Sequence, residues 1–147
     1  MKKPPKNRDG FRSRGSELNY LHDLVAYWWH RDGGMSRIVH ELERFEELLA
    51  ASGLDDGSIA LQEHWTLLHQ VRGNFHQCSQ HREREIVLIQ RALEIGGPIG
   101  EINFEYLANK WLELAHFYVA EGKNERAKAA YVAATQLSQC HGFHIET

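Results

Sequence analysis

Residues 108–141 read ANKWLELAHFYVAEGKNERAKAAYVAATQLSQCH. Trp111, Leu114 and Tyr118 recur three or four residues apart, which places them on one face of a helix. Gly122 follows at a point where the chain can turn over tightly. Small residues then let the two helix backbones approach each other: Ala115, Ala127 and Ala134. The stretch therefore predicts an antiparallel pair of helices with an aromatic and aliphatic stripe between them.

The same stretch resembles a tetratricopeptide repeat (TPR), a helical hairpin of 34 residues. The family pattern begins W-x2-L-G-x2-Y and continues with Gly, Ala, an aromatic residue and Ala. One departure is Gln139, which lies about where the family often has proline. Eight residues match the pattern in order: Trp111, Leu114, Ala115, Tyr118, Gly122, Ala127, Tyr131 and Ala134.

Residues 62–95 resemble a weaker copy of the repeat. Trp65 and Leu68 match its opening, whereas His69 replaces the small residue. The match resumes at Ile89 and Ala92 if about four residues are inserted in the turn, around residues 74–79. Residues 16–53 have the shape of a helical hairpin without the pattern.

Six helical segments are predicted from Ser16 onward, with Ser16, Ser36 and Ser58 as N-caps. The fourth segment is expected to begin near Ser79. No stretch alternates strictly between apolar and polar residues, so strands have little support. The predicted fold is all-α, a right-handed array of about three antiparallel hairpins (a TPR-like α-solenoid). We expect a basic disordered leader over residues 1–15 and one TPR-like domain over residues 16–147.

The resemblance implies a non-catalytic scaffold or adaptor that binds another protein or a peptide and needs no cofactor. The family binds its partners in a concave groove lined by the first helix of each hairpin. The basic residues of a carboxylate clamp are missing at the groove positions. The candidate contact residues are Asn109, Leu112, Glu113, His116, Thr66 and Gln70.

Enzyme motifs are not recognised in the sequence. It contains no GxSxG, no P-loop and no GxGxxG. The nearest pair of carboxylates lies in the run Arg82-Glu83-Arg84-Glu85, where residues two apart do not face each other on a helix. That run is interpreted as a solvated helix face of alternating charge.

A metal-binding alternative depends on the spacing of His76, Cys78 and His81 near the longest predicted turn. Cysteine and histidine at this spacing can hold zinc, which requires four ligands. Only three are local, and the fourth would have to come from the other end of the chain. We favour the interpretation of solvent-exposed residues, with zinc as the alternative.

Charge is distributed unevenly along the chain. Residues 1–15 carry +5, so the remainder carries −8 of the total of −3. A basic tail can bind nucleic acid, which gives a further alternative function, but the acidic remainder argues against it. The basic residues are Lys2, Lys3, Lys6, Arg8, Arg12 and Arg14.

Neither a membrane segment nor a signal peptide is recognised, because no apolar run approaches the roughly 20 residues that span a bilayer. We therefore expect a cytoplasmic protein without membrane contact. Two surfaces suggest a homodimer. One is the adjacent pair Trp28 and Trp29, which would mark an interface if one ring is exposed. The other is the outer face of the last helix, which carries small residues and a thiol: Ala129, Ala133, Gln136 and Cys140.

Overall fold

The structure is a computed structural model that describes residue 11 and residues 13–52 and 58–145. Every regular element in these ranges is a helix, apart from an isolated bridge between Ile99 and Ile102, so the predicted all-α class is confirmed. The chain divides into two compact units, residues 1–55 and residues 56–147. The sequence did not predict this division. None of the helices in the described ranges combines the length and apolar character that crossing a bilayer requires.

The first unit contains α1 (Arg14–Trp29), α2 (Gly34–Arg37) and α3 (Val39–Ser52). α1 packs against α3, and the side chains of Val25, Phe45 and Leu49 are fully buried between them. The Arg44 guanidinium binds the Glu17 carboxylate in a bidentate manner, with both nitrogen–oxygen distances at 3.1 Å. This pair joins the outer surfaces of the two helices.

α1 begins earlier than the predicted cap at Ser16. Ser13 is the N-cap, and its hydroxyl accepts a hydrogen bond from the Ser16 amide at 3.2 Å. The Ser16 hydroxyl in turn accepts from the Ser13 amide, which completes a capping box. Ser16 therefore contributes to the cap from inside the helix.

The predicted second helix is divided in two by Ile38, a buried residue whose φ of −124° and ψ of 33° are not those of a helix. The short α2 precedes this break and α3 follows it. The N-cap of α2 is Gly33, with φ +66°, and the Ser36 hydroxyl donates to its carbonyl. Ser36 is therefore not the helix cap that the sequence suggested.

The second unit contains α4 (Ile59–Val71), α5 (Phe75–Gly96), α6 (Phe104–Ala120) and α7 (Asn124–His141). Each helix packs against the next in the chain, which gives two successive hairpins. Ser58 caps α4 as predicted, because its hydroxyl accepts from the Leu61 amide at 3.1 Å. Gly122, at φ +77°, forms the turn between α6 and α7.

α5 begins at Phe75 and not near Ser79. The expected insertion of about four residues around positions 74–79 is therefore one additional turn of helix, since a turn contains 3.6 residues. The connection from α4 to α5 consists of the C-cap Arg72, Gly73 and the N-cap Asn74. The turn between the two helices is consequently short.

The main core of the second unit lies between α5, α6 and α7, and a smaller cluster shares Trp111 and Tyr131 with it. In the smaller cluster, Ala108, Leu112 and Ala134 are packed by Phe143 and Ile145, which follow the end of α7 at Gly142. The main core consists of Ile86, Ile89, Leu93, Leu107, Leu114, Ala115, Tyr118, Ala127 and Ala130.

Candidate partner-binding surface

The first helices of the two hairpins in the second unit, α4 and α6, both pack against α5. Asn109 and His116 of α6 are exposed, and the Glu113 side chain is 46% exposed. Gln70 of α4 is half-buried. We call Gln70, Asn109, Glu113 and His116 the first-helix surface.

Two of the six predicted contact residues do not reach the surface. Thr66 is only 1% exposed, and its hydroxyl donates to the Gln62 carbonyl at 2.9 Å. Leu112 is buried in the cluster with Ala108 and Ala134. The side chains of Thr66 and Leu112 therefore pack in the interior and are not accessible to a partner.

A buried ionic network lies beneath the first-helix surface. The Lys110 ammonium of α6 is 3.4 Å from the Glu63 carboxylate of α4 and 3.5 Å from the Glu85 carboxylate of α5. Lys110 thus links three helices of the second unit through one ammonium group. Its side chain is 7% exposed, so water screens these interactions only weakly.

Arg82 of α5 supplies the second cation of the network. Its guanidinium lies 2.8 Å from Glu85 and, through the other terminal nitrogen, 2.8 Å from Glu113 of α6. Glu113 is therefore both a member of the network and a part of the first-helix surface. A partner that contacts Glu113 would act directly on the contact between α5 and α6.

Glu85 is the most deeply buried carboxylate of this group, with 0% exposure. Burial raises the pKa of Glu85, and the negative charges of Glu63 and Glu113 act in the same direction. The cations Arg82 and Lys110 lower it but do not compensate. Burial likewise raises the pKa of Tyr106, whose ring lies 5.0 Å from the Lys110 ammonium.

The sequence interpretation of Arg82-Glu83-Arg84-Glu85 as a solvated face was wrong for its first and last members. Arg82 and Glu85 are three residues apart and point inward, whereas Arg84 is exposed and Glu83 is half-buried. The signal that could have found them is the helical stripe through Cys78, Arg82, Glu85, Ile89 and Leu93, whose spacing of three or four residues continues the apolar face.

A stack of flat rings fills the contact between α4 and α5. Trp65, His69 and His81 have centroids 5.3–5.7 Å apart and ring planes within 18° of one another. The Nδ1 of His81 donates to the Gln62 side-chain oxygen at 2.8 Å. His69, which replaces the small residue of the repeat pattern, therefore lies flat against two neighbouring rings.

The residues matched to the repeat pattern lie mainly in the interior. Trp111, Tyr131, Trp65 and Ala92 are half-buried, and Trp111 packs against both clusters of the second unit. Gly122 forms the turn described above. The buried members are Leu68, Leu114, Ala115, Tyr118, Ala127 and Ala134.

The three candidate zinc ligands lie within α5 and not in an exposed turn. The His76 side chain is 59% exposed and donates to Glu121, whereas Cys78 is fully buried and donates to the Thr66 carbonyl at 3.5 Å. His81 belongs to the ring stack. In the part of the chain that the structure describes, no three His, Cys, Asp or Glu side chains are grouped to hold a metal ion.

The remaining predicted surfaces are the basic leader, the adjacent tryptophan pair and the outer face of α7. The basic leader lies mostly outside the described residues, which begin with Phe11 and then Ser13. Trp28 and Trp29 are half-buried, with the Arg37 guanidinium 5.2 Å from the Trp28 ring. On the outer face of α7, Ala133 is half-buried and three residues are exposed: Ala129, Gln136 and Cys140.

Comparisons with known proteins found no matching family model, no similar curated protein and no similar solved structure. The tetratricopeptide resemblance therefore stays a prediction from the residues that carry it.

Proposed function

We propose that this chain is a non-catalytic scaffold that binds another protein or a peptide, built as a TPR-like right-handed array of helical hairpins. The observation that supports this most is the contact of Lys110 in α6 with Glu63 in α4. It joins the first helices of two successive hairpins, which is the pairing that lines a groove in a hairpin array. The two free cysteines suit a reducing compartment such as the cytoplasm, where we place this scaffold.

The first-helix surface is the proposed contact region. Asn109 and Gln70 offer amide donors and acceptors, and His116 offers a ring nitrogen. Such groups can pair with the backbone of an extended or helical peptide. The ionic network holds the helices that carry them in one arrangement, which lowers the ordering cost of binding.

A capture experiment with matched variants tests this proposal. The whole chain serves as bait in a cell lysate, beside the double variant Asn109→Arg/His116→Glu and the control Lys128→Glu. All three positions are exposed, so the variants should retain the melting temperature of the parent. We expect a protein that is retained by the parent and the control and lost by the double variant. Equal retention by all three baits would refute the contact region, and a parent that captures nothing would count against a scaffold.

A further inference from the structure

One face of α5 lines a shallow depression on the second unit. Gln80 and Arg91 mark its ends, and the lining residues follow at helical spacing along about 16 Å of helix. They form a single stripe, which is the shape that another helix can follow. The stripe consists of Gln80, Glu83, Arg84, Val87, Leu88 and Arg91.

A second depression adjoins the first and shares Glu83 with it. Its floor includes Trp111 and Tyr118 of α6, and its far wall is α7 with Arg126, Ala129 and Ala130. The Tyr118 hydroxyl donates to the Glu83 carboxylate, so Glu83 already has a partner within the unit. We call the two depressions together the α5–α7 crevice.

The floor of the crevice is apolar. Val87 is 43% exposed, although valine is usually buried, and the neighbouring Leu88 is half-buried. Trp111 is half-buried, and the exposed Ala129 lines the same depression. Apolar surface that is gathered in a depression and surrounded by charge is characteristic of a binding site.

The rim of the crevice is basic. Arg84, Arg91 and Arg126 are exposed, and among the described residues none of these three guanidinium groups has a carboxylate within 4.0 Å. The lining therefore carries three guanidinium groups and one carboxylate, on a chain whose total charge is −3. A positive rim on an acidic protein selects for a negatively charged partner.

We propose that the α5–α7 crevice binds an acidic amphipathic helix of another protein. Apolar side chains spaced three or four residues apart on that helix would cover Val87, Leu88 and the edge of Trp111, while flanking carboxylates would pair with the arginines. A nucleic acid fits less well, because a single-stranded nucleic acid would need exposed rings for stacking, whereas the floor's Trp111 is half-buried and its Tyr118 is buried. The crevice is distinct from the first-helix surface, so the two proposals can fail separately.

Fluorescence anisotropy with designed probes tests the occupant. The main probe is a labelled helical peptide of about 18 residues, with leucine at positions i, i+4, i+7 and i+11 and glutamate on both flanks. Its controls are a scrambled peptide, a peptide with lysine in place of glutamate, and a single-stranded oligonucleotide of similar charge. We expect the acidic peptide to bind at least about tenfold more tightly than each control, with an affinity that falls as salt is added.

Charge reversal on the protein tests the location. Arg84→Glu should weaken the acidic peptide by about tenfold or more, because a repulsive contact replaces an attractive one. Lys128→Glu makes the same change of charge on an exposed part of α7 outside the lining and should leave the affinity within about twofold. Tighter binding of the oligonucleotide, equal binding of the scrambled peptide, or equal effects of the two variants would each overturn the proposal. A dimer seen by light scattering that prevents the peptide from binding would also overturn the proposal, because a second copy of the chain would then occupy the crevice.

Discussion

Gly34 lies against the backbone of Trp28 so closely that a Cβ atom on Gly34 would be 1.8 Å from the Trp28 carbonyl oxygen. The backbone of Gly34 has no positive φ, so the requirement for glycine there is steric and not conformational. The neighbouring Gly33 is the reverse case, with φ +66° and 3.8 Å between its Cβ position and the Ser36 hydroxyl. The first unit thus needs both glycines, for different physical reasons.

Gly34→Ala should therefore destabilise the first unit by about 3 kcal/mol, the upper end of the usual cost of overpacking, since the added methyl group meets rigid backbone. Gly33→Ala should cost only about 1–2 kcal/mol, the penalty of the left-handed conformation. Urea unfolding followed by tryptophan fluorescence measures both free energies. A smaller loss for Gly34→Ala than for Gly33→Ala would show that α2 does not approach Trp28 as described.

Removing the ammonium group that joins three helices is a second test. Lys110→Ala should cost about 3–5 kcal/mol, because it leaves buried Glu85 with Arg82 as its remaining cation. Lys128, 73% exposed and paired with Glu125 along α7, is the control. Lys128→Ala should change the free energy of unfolding by less than about 0.5 kcal/mol. Similar values for the two variants would mean that the network does not hold the hairpins together.

Tyr118 combines a buried ring with a hydrogen bond to Glu83. Tyr118→Ala should cost about 3–5 kcal/mol through the cavity it leaves. Tyr118→Phe keeps the ring and should cost about 1.5–3 kcal/mol, the value of a hydrogen bond to a charged group. Chemical denaturation separates the two contributions. The control, Tyr131→Phe at a half-buried ring of α7, should leave the free energy of unfolding nearly unchanged. An equally small effect of Tyr118→Phe would argue against the hydrogen bond to Glu83.

Glu121 makes stability depend on pH in acid. Although burial raises its pKa, hydrogen bonds from His76, Ser79 and Lys123 outweigh this effect and lower the pKa below the usual 4.5. A lowered pKa means that the ionised carboxylate stabilises the fold above pH 4.5, and that this contribution is lost as pH falls through the folded pKa.

Glu121→Gln should consequently be less stable than the parent at pH 7, with a difference that shrinks as the pH approaches 3. Glu125→Gln, at an exposed position on α7, provides the matched control and should show little difference at either pH. Thermal unfolding across this pH range measures both. A difference for Glu121→Gln that stays constant with pH would contradict the lowered pKa.

The two thiols should differ sharply in reactivity. Burial raises the pKa of Cys78 to about 11, so at neutral pH the side chain remains a protonated thiol inside the unit. Cys140 is exposed on α7. Iodoacetamide at pH 8 should therefore add one label to the native protein, at Cys140, and two labels in urea. Mass spectrometry of the peptides gives the answer, and rapid native labelling of Cys78 would contradict its burial.

The helices of the second unit could be predicted because local signals coincide there. Ser58 and Gly122 mark a cap and a turn, and the stripe of Leu114 and Tyr118 repeats at helical spacing. The break at Ile38 could not be predicted in this way. It lies close in sequence to the approach of Gly34 to Trp28, a contact between two elements that leaves no periodic pattern in the sequence.

The ionic network was missed for a related reason. Charged residues are read as surface residues unless a partner is known, and apart from their pairing with each other, Arg82 and Glu85 have their partners on α6. The candidate contact residues show the same limit: the pattern placed Leu112 on a groove, but the segment with Phe143 and Ile145 folds back to cover it.

The ionic network also bears on how such a chain can evolve. Each hairpin of an ideal solenoid is interchangeable, so arrays grow by copying a unit in tandem. Here α6 carries the cation that two carboxylates of the preceding hairpin require, while that hairpin supplies Arg82 to Glu113 in return. A duplicate of α6 and α7 inserted after the original would place Lys110 and Glu113 of the copy against α7, which has no counterpart of Arg82 or Glu85. The charged residues at the junction between these two hairpins are therefore complementary to each other and not to a further copy. Lengthening the array would require compensating substitutions in the same step.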